Sequence, residues 1–394
     1  MKSDWTKKTL DEVCSRIYSG GTPSTKHPEY WDGDLKWLSS GETSQRFIYD
    51  TDRKITLAGV QNSSTKLAKK DSTVIATAGQ GYTRGQTSFL MVDTYMNQSV
   101  IACEPDQRYI LPLFLYYNLD SRYDEFRALS DATSTRGGLS GWILKRMEIA
   151  LPPIDVQKRI VSLLESLDRK IEVNTKINDN LAQQADSIFR EKILIEGDLP
   201  EGWKMSSLSG IADYLNGLAM QKFRPAEDEI GLPVLKIKEL RQGSFDESTE
   251  LCSPSIKPEY IVHDGDVIFS WSGSLLVDFW CGGTCGLNQH LFKVTSRKFD
   301  KWFYYVWTKY HLDNFIAVAA DKATTMGHIK REELDKAVVF VPSPEDYASI
   351  EGLLAPIYDA IISNRLEARK LGEIRDSLLP KLMSGELDVS EVSL

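Results

Sequence analysis

The sequence lacks the motifs of nucleotide-driven and methyl-transferring enzymes. No G-x-x-x-x-G-K-[ST] loop occurs in the 394 residues, so the chain encodes no phosphate cradle for ATP-driven translocation. The Asn-Pro-Pro-Tyr and Asp-Pro-Pro-Tyr tetrads of adenine-N6 methyltransferases are also missing, and Leu151-Pro-Pro-Ile154 has no amide or carboxylate to hold an exocyclic amine. Pro105-Asp106 lacks the nearby acid-x-Lys pair of a nuclease. These absences favour a protein with no catalytic residues.

Cysteine is scarce, and long apolar runs are missing. The five cysteines are odd in number and scattered, which is typical of reduced thiols in the cytoplasm. No apolar stretch approaches the roughly 18–20 residues that cross a bilayer. The N-terminal residues Met1 to Trp5 contain no apolar run of the kind that a secretory signal needs. We therefore expect a cytoplasmic protein.

Two patterns resemble ligand sites only superficially. Cys281, Cys285 and His290 have a C-x₃-C-x₄-H spacing, with Cys252 as a fourth zinc ligand, but evenly spaced ligand pairs are missing and the segment is strand-rich. Buried thiols are the preferred interpretation, and no metal is expected. The glycines of 81–85 and 282–283 are interpreted as strand-connecting turns rather than phosphate cradles.

A large excess of positive charge is also absent. The net charge is −9, which by itself argues against a nucleic-acid partner. The distribution is uneven: residues 1–150 carry +1, 151–197 carry −1, 198–340 carry −4 and 341–394 carry −5. A small basic face can still contact phosphates, although its contribution to affinity would be modest.

What the sequence does contain is a long internal repeat. Residues 151–192 align without gaps with residues 341–382, at an offset of 190. The identities are Pro152/Pro342, Ile160/Ile350, Leu163/Leu353, Leu164/Leu354, Ile171/Ile361, Asn174/Asn364, Leu181/Leu371, Asp186/Asp376 and Ser187/Ser377. Weaker echoes precede them, such as Trp5/Trp203 and Asn97-Gln98/Asn288-Gln289. The chain is therefore a duplicated half of about 190 residues.

The repeat predicts the architecture. Apolar residues recur at heptad-like spacing in both copies, and about forty helical residues extend about 60 Å, so each copy needs the other as a partner. Short helices are predicted at 111–120 and 301–317. Strands are predicted at 71–76, 91–103, 232–237, 266–270 and 291–294. We expect an α+β fold with a pseudo-twofold internal repeat. It comprises two mixed α/β domains (1–150 and 198–340) and two long-helix segments (151–197 and 341–394) that form an antiparallel coiled coil.

The whole chain resembles the specificity subunits of type I restriction–modification systems. In the domains, the resemblance rests on 19–24 (Ser-Gly-Gly-Thr-Pro-Ser) with 28–31 (Pro-Glu-Tyr-Trp), on 288–290 (Asn-Gln-His), and on 323–328 (Ala-Thr-Thr-Met-Gly-His). At the junctions it rests on 151–160, on 199–203 (Leu-Pro-Glu-Gly-Trp), and on 379–386. The second junction departs from the pattern, since Tyr347 stands where Gln157 stands in the first.

This resemblance implies a prokaryotic, cytoplasmic DNA-binding subunit without catalytic activity. Two target-recognition domains would each read half of a bipartite double-stranded DNA target, with the helices as the spacer. Two modification (methyltransferase) subunits and the restriction (translocase and nuclease) subunits would be its partners, carrying S-adenosylmethionine and ATP; this chain would hold no cofactor. The alternatives are a coiled-coil scaffold joining two protein-binding domains, or a DNA methyltransferase or nuclease in its own right.

Polar and aromatic loop residues are the candidates for reading DNA. Arginine and lysine pair with guanine, asparagine and glutamine with adenine, and serine and threonine with either. The candidates of the first domain are Thr22, Ser24, Lys26, Gln80, Tyr82, Arg84, Gln86, Thr135 and Arg136. Those of the second are Gln221, Lys222, Arg224, Lys236, Lys238, Ser270, Trp271, Ser272, Thr325, His328 and Lys330. Each has a solvated loop residue as its alternative, and Asn97, Gln98, Asn288 and Gln289 are interpreted as strand-end structural amides.

The two equivalent asparagines predict how the long helices align. Asn174 and Asn364 are the polar members of otherwise apolar heptad series, at the midpoint of each helical segment. In an antiparallel pair, equivalent positions meet only at the midpoint, so the two amides are expected to exchange a hydrogen bond and set the register. A kink at Pro356 is the complication.

Overall fold

The computed structural model describes residues 5–79, 82–131, 138–321 and 329–389. The chain divides into two compact units: Met1–Asp168 with Glu373–Leu394 (unit 1), and Arg169–Gly372 (unit 2). Each unit thus contains a globular domain together with one end of each long helix. In the part of the chain that the structure describes, we find no helix with the length and apolarity to cross a membrane.

Unit 1 builds its domain from short strands and helices. The strands are β1 (Thr6–Thr9), β2 (Cys14–Ser19), β3 (Trp31–Leu38), β4 (Phe47–Ile48), β5 (Arg53–Ile55), β6 (Lys66–Ala68), β7 (Thr73–Ala76), β8 (Thr87–Leu90), β9 (Thr94–Met96), β10 (Val100–Pro105) and β11 (Glu148–Leu151). The helices are α1 (Leu10–Val13), α2 (Leu57–Gln61), α3 (Pro112–Asp120), α4 (Tyr123–Asp131) and α5 (Gly141–Arg146), followed by the long helix α6 (Ile154–Lys192).

Three sheets organise this domain. The main sheet has the order β2-β10-β7-β8-β4, a small sheet has the order β5-β3-β9-β6, and β1 pairs with β11. The segment predicted as one strand over 91–103 is two, β9 and β10, which belong to different sheets. The chain turns between them because the Asn97 side-chain oxygen accepts a hydrogen bond from the Ser99 N–H at 3.0 Å.

Unit 2 contains the corresponding elements. The strands are β12 (Lys204–Ser207), β13 (Asp213–Asn216), β14 (Leu232–Leu235), β15 (Leu251–Cys252), β16 (Ile261–Val262), β17 (Val267–Ser270), β18 (Leu276–Phe279), β19 (Cys285–Leu287), β20 (Leu291–Thr295) and β21 (Val338–Val341). The helices are α7 (Leu208–Ile211), α8 (Ile237–Gln242), α9 (Lys301–Tyr310), α10 (Leu312–Asp321), α11 (Arg331–Lys336) and the long α12 (Pro344–Met383).

The sheets of unit 2 repeat the strand order of unit 1, except that its main sheet has no counterpart of β4. The main sheet is β13-β20-β17-β18, the small sheet is β15-β14-β19-β16, and β12 pairs with β21. The helix predicted over 301–317 is instead two helices, α9 and α10. They separate at His311, whose ring Nε2 lies 2.8 Å from the Val338 carbonyl oxygen.

The long helices pack against each other in antiparallel order, and their ends are also buried in the domains. In unit 1, Ile160 and Leu164 of α6 join Leu379 and Leu382 of α12 in the domain core. In unit 2, the core takes in Phe189 of α6 together with residues of α12 such as Leu354 and Tyr358. The helix α12 continues through Pro356. The apolar stripe of each helix is therefore satisfied by a domain at each end as well as by the partner helix.

Candidate nucleic-acid interface

In unit 1, the ends of four strands of the main sheet lie in one row. Ser19 is paired with Ile101, Val100 with Ala76, and Ile75 with Thr87. The segments that leave these strands therefore emerge from the same edge of the sheet. We name this edge loop edge 1; its described residues are 20–26, 77–79, 82–86, 97–99 and 138–140. Most of the residues that the sequence analysis proposed for the first domain lie here.

Two glycines bring the first loop close to its neighbours. The Gly21 N–H donates to the Met96 carbonyl at 2.9 Å. A Cβ on Gly20 would lie 2.0 Å from that same carbonyl oxygen, and a Cβ on Gly21 would lie 2.1 Å from the Ser64 hydroxyl oxygen. No other residue type fits such an approach without moving backbone. The glycines direct the following residues, Thr22, Ser24 and Lys26, to the exposed surface.

These three residues differ in their partners. The Thr22 hydroxyl donates to the Gln98 side-chain oxygen at 2.5 Å, so Gln98 positions a loop residue. The Ser24 hydroxyl accepts a hydrogen bond from the Lys26 N–H at 3.3 Å. Lys26 forms no ion pair with any residue that the structure describes. Its ammonium group is therefore available to an anionic ligand.

The turn between β7 and β8 carries the next candidates. Tyr82 is exposed, and its carbonyl accepts a hydrogen bond from the Tyr123 hydroxyl at 2.9 Å. Arg84 is ion-paired with Asp131, and its side chain is only 12% exposed, so reaching a base would require it to leave that carboxylate. Gln86 is half-buried. Gln80, Thr135 and Arg136 lie outside the described residues.

Unit 2 has an equivalent edge. Asn216 is paired with Phe292, and Ser270 with both Leu291 and Leu276. The segments that leave these strands again share one edge of the main sheet. We name it loop edge 2; its described residues are 217–224, 271–275, 288–290 and 329–330, whereas 236–238 follow β14 of the small sheet.

A glycine again permits close packing at the start of this edge. The Gly217 N–H donates to the Leu291 carbonyl at 3.0 Å, and a Cβ on Gly217 would lie 2.3 Å from the Asn288 carbonyl oxygen. In unit 1 the Gly20 N–H donates to the Val100 carbonyl at 3.4 Å, so Gly20 and Gly217 occupy equivalent positions. The sequence comparison missed this pair because insertions change the offset from 190 to 197 in this region. Asn288 accepts from the His290 N–H at 3.3 Å, as Asn97 does from Ser99, so both are the structural amides that the sequence predicted.

The charged candidates of unit 2 are mostly paired with carboxylates. Glu250 binds both Arg224 (3.2 Å) and Lys236 (2.6 Å). Lys238 contacts Asp246 at 2.7 Å, and this hydrogen bond contributes most to lowering the pKa of the Asp246 carboxyl to about 2. Gln221 and Lys222 are exposed, and Lys222 has no ion pair with a described residue. Lys222 thus corresponds in character to Lys26.

The remaining candidates of unit 2 form an aromatic and hydroxyl group. Ser270 is fully buried, and its hydroxyl donates to the Ser274 carbonyl at 2.9 Å, so it holds the β17–β18 turn in shape. Ser272 is buried in the same turn. The Trp271 indole donates to the Asn216 side chain at 3.0 Å, with its ring centroid 6.1 Å from that of His290. Lys330 is exposed at the start of α11, whereas Thr325 and His328 lie outside the described residues.

One repeated feature escaped the sequence analysis: a buried glutamate that follows the equivalent strand, β3 or β14, of each small sheet. Glu42 is 6% exposed and accepts from the Ser39 N–H at 2.8 Å and the Asp52 N–H at 2.9 Å. Glu239 is 4% exposed and accepts from the Lys236 N–H at 3.2 Å. The Ser-x-x-Glu spacing was a detectable signal for the first, since it is the capping-box pattern. For Glu239, the residue three positions earlier is Lys236, which does not belong to the capping-box pattern.

The cysteines behave as buried thiols. Burial raises the pKa of Cys281 to about 11 and holds the pKa of Cys285 well above its ordinary value, so neither is a ready thiolate ligand. Among residues 5–79, 82–131, 138–321 and 329–389, no group of three metal-ligating side chains comes together.

The asparagines of the helix pair lie close together, but their amides do not bond to each other as predicted. Asn174 is 1% exposed, and its Nδ2 donates to Glu367 Oε2 at 2.8 Å and, more weakly, to the Asn364 backbone carbonyl at 3.4 Å. The Asn364 amide instead donates to the Asn178 side-chain oxygen at 2.9 Å. The prediction of exchanged amides was wrong because each side chain reaches a residue about one turn along the opposite helix rather than its exact equivalent.

Comparison with known proteins identifies the class. Residues 2–183 and 200–374 match the type I restriction modification DNA specificity domain, so the chain contains two such domains and belongs to that family. It is a type I restriction–modification specificity subunit, with long helices consistent with a coiled coil.

Individual relatives agree with this assignment, one of them along nearly the full length. The chain is 25% identical to the type I restriction enzyme MjaIX specificity subunit of Methanocaldococcus jannaschii, over 99% of this chain and 95% of the relative. It is 31% identical to the EcoR124I/EcoR124II specificity subunit of Escherichia coli over 41% of this chain and 40% of that one. The crystal structure of the type I S subunit from M. genitalium shares the fold, with a TM-score of 0.57 and 15% identity, each chain being covered to 96%.

Proposed function

We propose that this subunit reads a bipartite DNA target, one half-site with each domain, and positions partner enzymes on it. The observation that supports this most directly is the repetition of one loop scaffold. Loop edges 1 and 2 emerge from equivalent strand ends and begin with a glycine in close contact with the backbone. A scaffold kept twice with different exposed side chains suits two readers of different sequences.

We further propose that the chemistry belongs to partner subunits. The chain contains neither a nucleotide loop nor a methyltransferase tetrad. Two modification subunits would supply S-adenosylmethionine chemistry and restriction subunits would supply ATP-driven cleavage. This chain would contribute recognition and hold no cofactor. Names such as "restriction enzyme specificity subunit" among its relatives support this division.

The experiment that tests the proposal is methylation mapping in cells that carry the modification subunit, with and without this gene. We expect a motif of two short half-sites about one helical turn apart, ~10 bp centre to centre, with unread bases between them. Replacing residues 1–150 with the first domain of another family member should change one half-site and leave the other. A contiguous motif, or a change in both half-sites, would contradict the proposal.

Arg84 and Arg224 remain predicted readers. Each guanidinium is held beside a carboxylate, Asp131 and Glu250 respectively, and would exchange it for a base edge on binding. Alanine at either position is expected to weaken specific binding by about 1–3 kcal/mol. Lys7→Ala is a matched control, since Lys7 is also ion-paired but lies on β1, which pairs with β11 and is not part of the main sheet. Unchanged DNA affinity in the assembled complex would remove both arginines from the site.

A further inference from the structure

The most basic segment of the chain lies outside both loop edges. Residues 53–70 contain Arg53, Lys54, Lys66, Lys69 and Lys70 and no acidic residue, in a chain whose net charge is −9. All five side chains are exposed. They lie on β5 and β6, which are the two edge strands of the small sheet of unit 1, and in the turn that follows β6. We call these residues the cationic segment.

The cationic segment is not neutralised by its surroundings. None of its five residues forms an ion pair with a carboxylate among the described residues. Arg53 stacks on the Trp31 ring at 3.7 Å, which orients its guanidinium without cancelling the charge. Asp50 has its pKa lowered mainly by a hydrogen bond from Lys36 and only weakly by the charge of Lys54, so it is already engaged elsewhere. By contrast, Arg84, Arg224, Lys236 and Lys238 are all paired.

The equivalent surface of unit 2 has lost these charges. The two small sheets share one strand order, so their registers identify counterparts. Lys54 lies opposite Lys36 in β3, as Leu251 lies opposite Pro233 in β14. Leu67 lies opposite Tyr95, as Ile261 lies opposite Gly286. Continuing along each strand, the counterparts of the five cations are Glu250, Leu251, Tyr260, His263 and Asp264. Five positive charges in unit 1 thus correspond to two negative charges and no lysine or arginine in unit 2.

We propose that the cationic segment is a phosphate-binding surface for double-stranded DNA, and that unit 1 supplies a sequence-independent grip that this part of unit 2 lacks. The inference rests on the proposed function as a DNA reader. When exposed, unpaired lysines neutralise phosphates, the counterions condensed on the DNA are released. This release stabilises binding without reading sequence. The two edge strands of a four-stranded sheet are about 14 Å apart, near the ~12 Å width of the major groove. Cations on the two edges can therefore reach both backbones.

The test compares two quadruple variants of the full chain with the same charge change. The first, K54Q/K66Q/K69Q/K70Q, removes the four lysine charges of the cationic segment and leaves Arg53 on Trp31. The control, K7Q/K145Q/K158Q/K176Q, removes four lysines that are ion-paired with Glu148, Asp11, Asp155 and Glu172. Binding to a labelled 30-bp duplex is followed by fluorescence anisotropy at several salt concentrations, and thermal melting verifies that each variant is folded. If the quadruple variant melts early, the pairs K54Q/K66Q and K69Q/K70Q replace it.

Each lost phosphate contact lowers the salt slope of log K by about 0.9, so the first variant should lose about two or more units of slope while the control keeps the wild-type value. Between 50 and 200 mM salt, the wild type should lose more affinity than this variant, and the two losses should differ by a factor of about 15 to about 150. In the assembled complex the methylated motif should be unchanged. Equal slopes for both variants would overturn the inference and point to an acidic protein as the partner. A wild-type chain that binds no duplex, alone or with the modification subunit, would instead refute the proposed function.

Discussion

Asp168 holds together the most heavily charged buried cluster of unit 1, and its removal should be costly. Its side chain is 4% exposed. The carboxylate accepts hydrogen bonds from the Tyr117 hydroxyl at 2.8 Å and from Arg375 Nη1 at 2.7 Å, and it lies 3.4 Å from Arg46 Nε. The cluster therefore joins α6, α12 and the domain core within one unit. Asp168→Ala is the perturbation.

The magnitude follows from the charges that remain. Arg375 is 11% exposed, and although burial opposes its charge, its pKa is raised by the Asp376 hydrogen bond and by the Asp168 carboxylate. Without Asp168, the acidic partner that Arg375 keeps among the described residues is Asp376, which is 62% exposed. Leaving a buried charge unpaired costs about 3–5 kcal/mol. Tyr117→Phe removes one hydrogen bond to the same carboxylate and should cost less, about 1.5–3 kcal/mol.

Hydrogen exchange measured by mass spectrometry resolves this effect. Peptides from 154–168 and 373–389 should lose protection in the Asp168→Ala variant, while peptides from the unit 2 domain serve as the internal reference. The double variant Asp168→Leu/Arg375→Leu should recover most of the loss, because neither charge is left without its partner. If Asp168→Ala destabilises the protein by less than about 1 kcal/mol, the charges are solvated and the prediction is wrong. It is also wrong if the double variant is destabilised as much as Asp168→Ala alone.

Three further predictions concern the seam, the loop scaffold and pH. Asn174→Leu removes a buried amide whose Oδ1 has no hydrogen-bond partner among the described residues. The free energy of unfolding in urea should therefore be unchanged or higher by about 1 kcal/mol. A decrease of about 1 kcal/mol would show that the amide is net stabilising. Gly20→Ala should destabilise the protein by about 1–3 kcal/mol, because the new Cβ would clash with the Met96 carbonyl. Gly352→Ala lies on open helix surface and should stabilise the protein by up to about 1 kcal/mol. Equal urea unfolding midpoints for the two variants would refute the close approach at Gly20. Burial lowers the pKa of His311 below 6.5, so its contribution to stability is present above pH 6.5 and is lost as the pH falls through that value towards the folded pKa. The melting temperature of His311→Gln should therefore depend less on pH over this range than that of the wild type. Parallel curves of melting temperature against pH for the two proteins would contradict the assignment.

Some of the predictions made from the sequence are confirmed, and others are not yet tested. The family assignment and the fold class are confirmed along nearly the whole chain. The domain boundaries and the roles of individual loop residues remain predictions. The structure nevertheless distinguishes the loop residues, since Ser270 is buried and Arg84 largely so, while Lys26 and Lys222 are exposed and form no ion pair with a described residue. A polar residue in a loop sequence can be a reader or a turn former, and only burial distinguishes them.

The sequence by itself determined the duplication, the long helices and the family, because these depend on periodicity and on local motifs that a single chain displays directly. The ungapped repeat of residues 151–192 required two equivalent helices, and the heptad pattern required that they pair. Only the tertiary structure decided which loops share an edge, which cations are neutralised and which partners the seam asparagines choose. Those outcomes depend on contacts between residues far apart in the chain, such as Gly20 with Met96 and Asn174 with Glu367. Insertions between the repeated segments hid the equivalence of Gly20 with Gly217 from any comparison at a constant offset, whereas strand pairing preserves it in space.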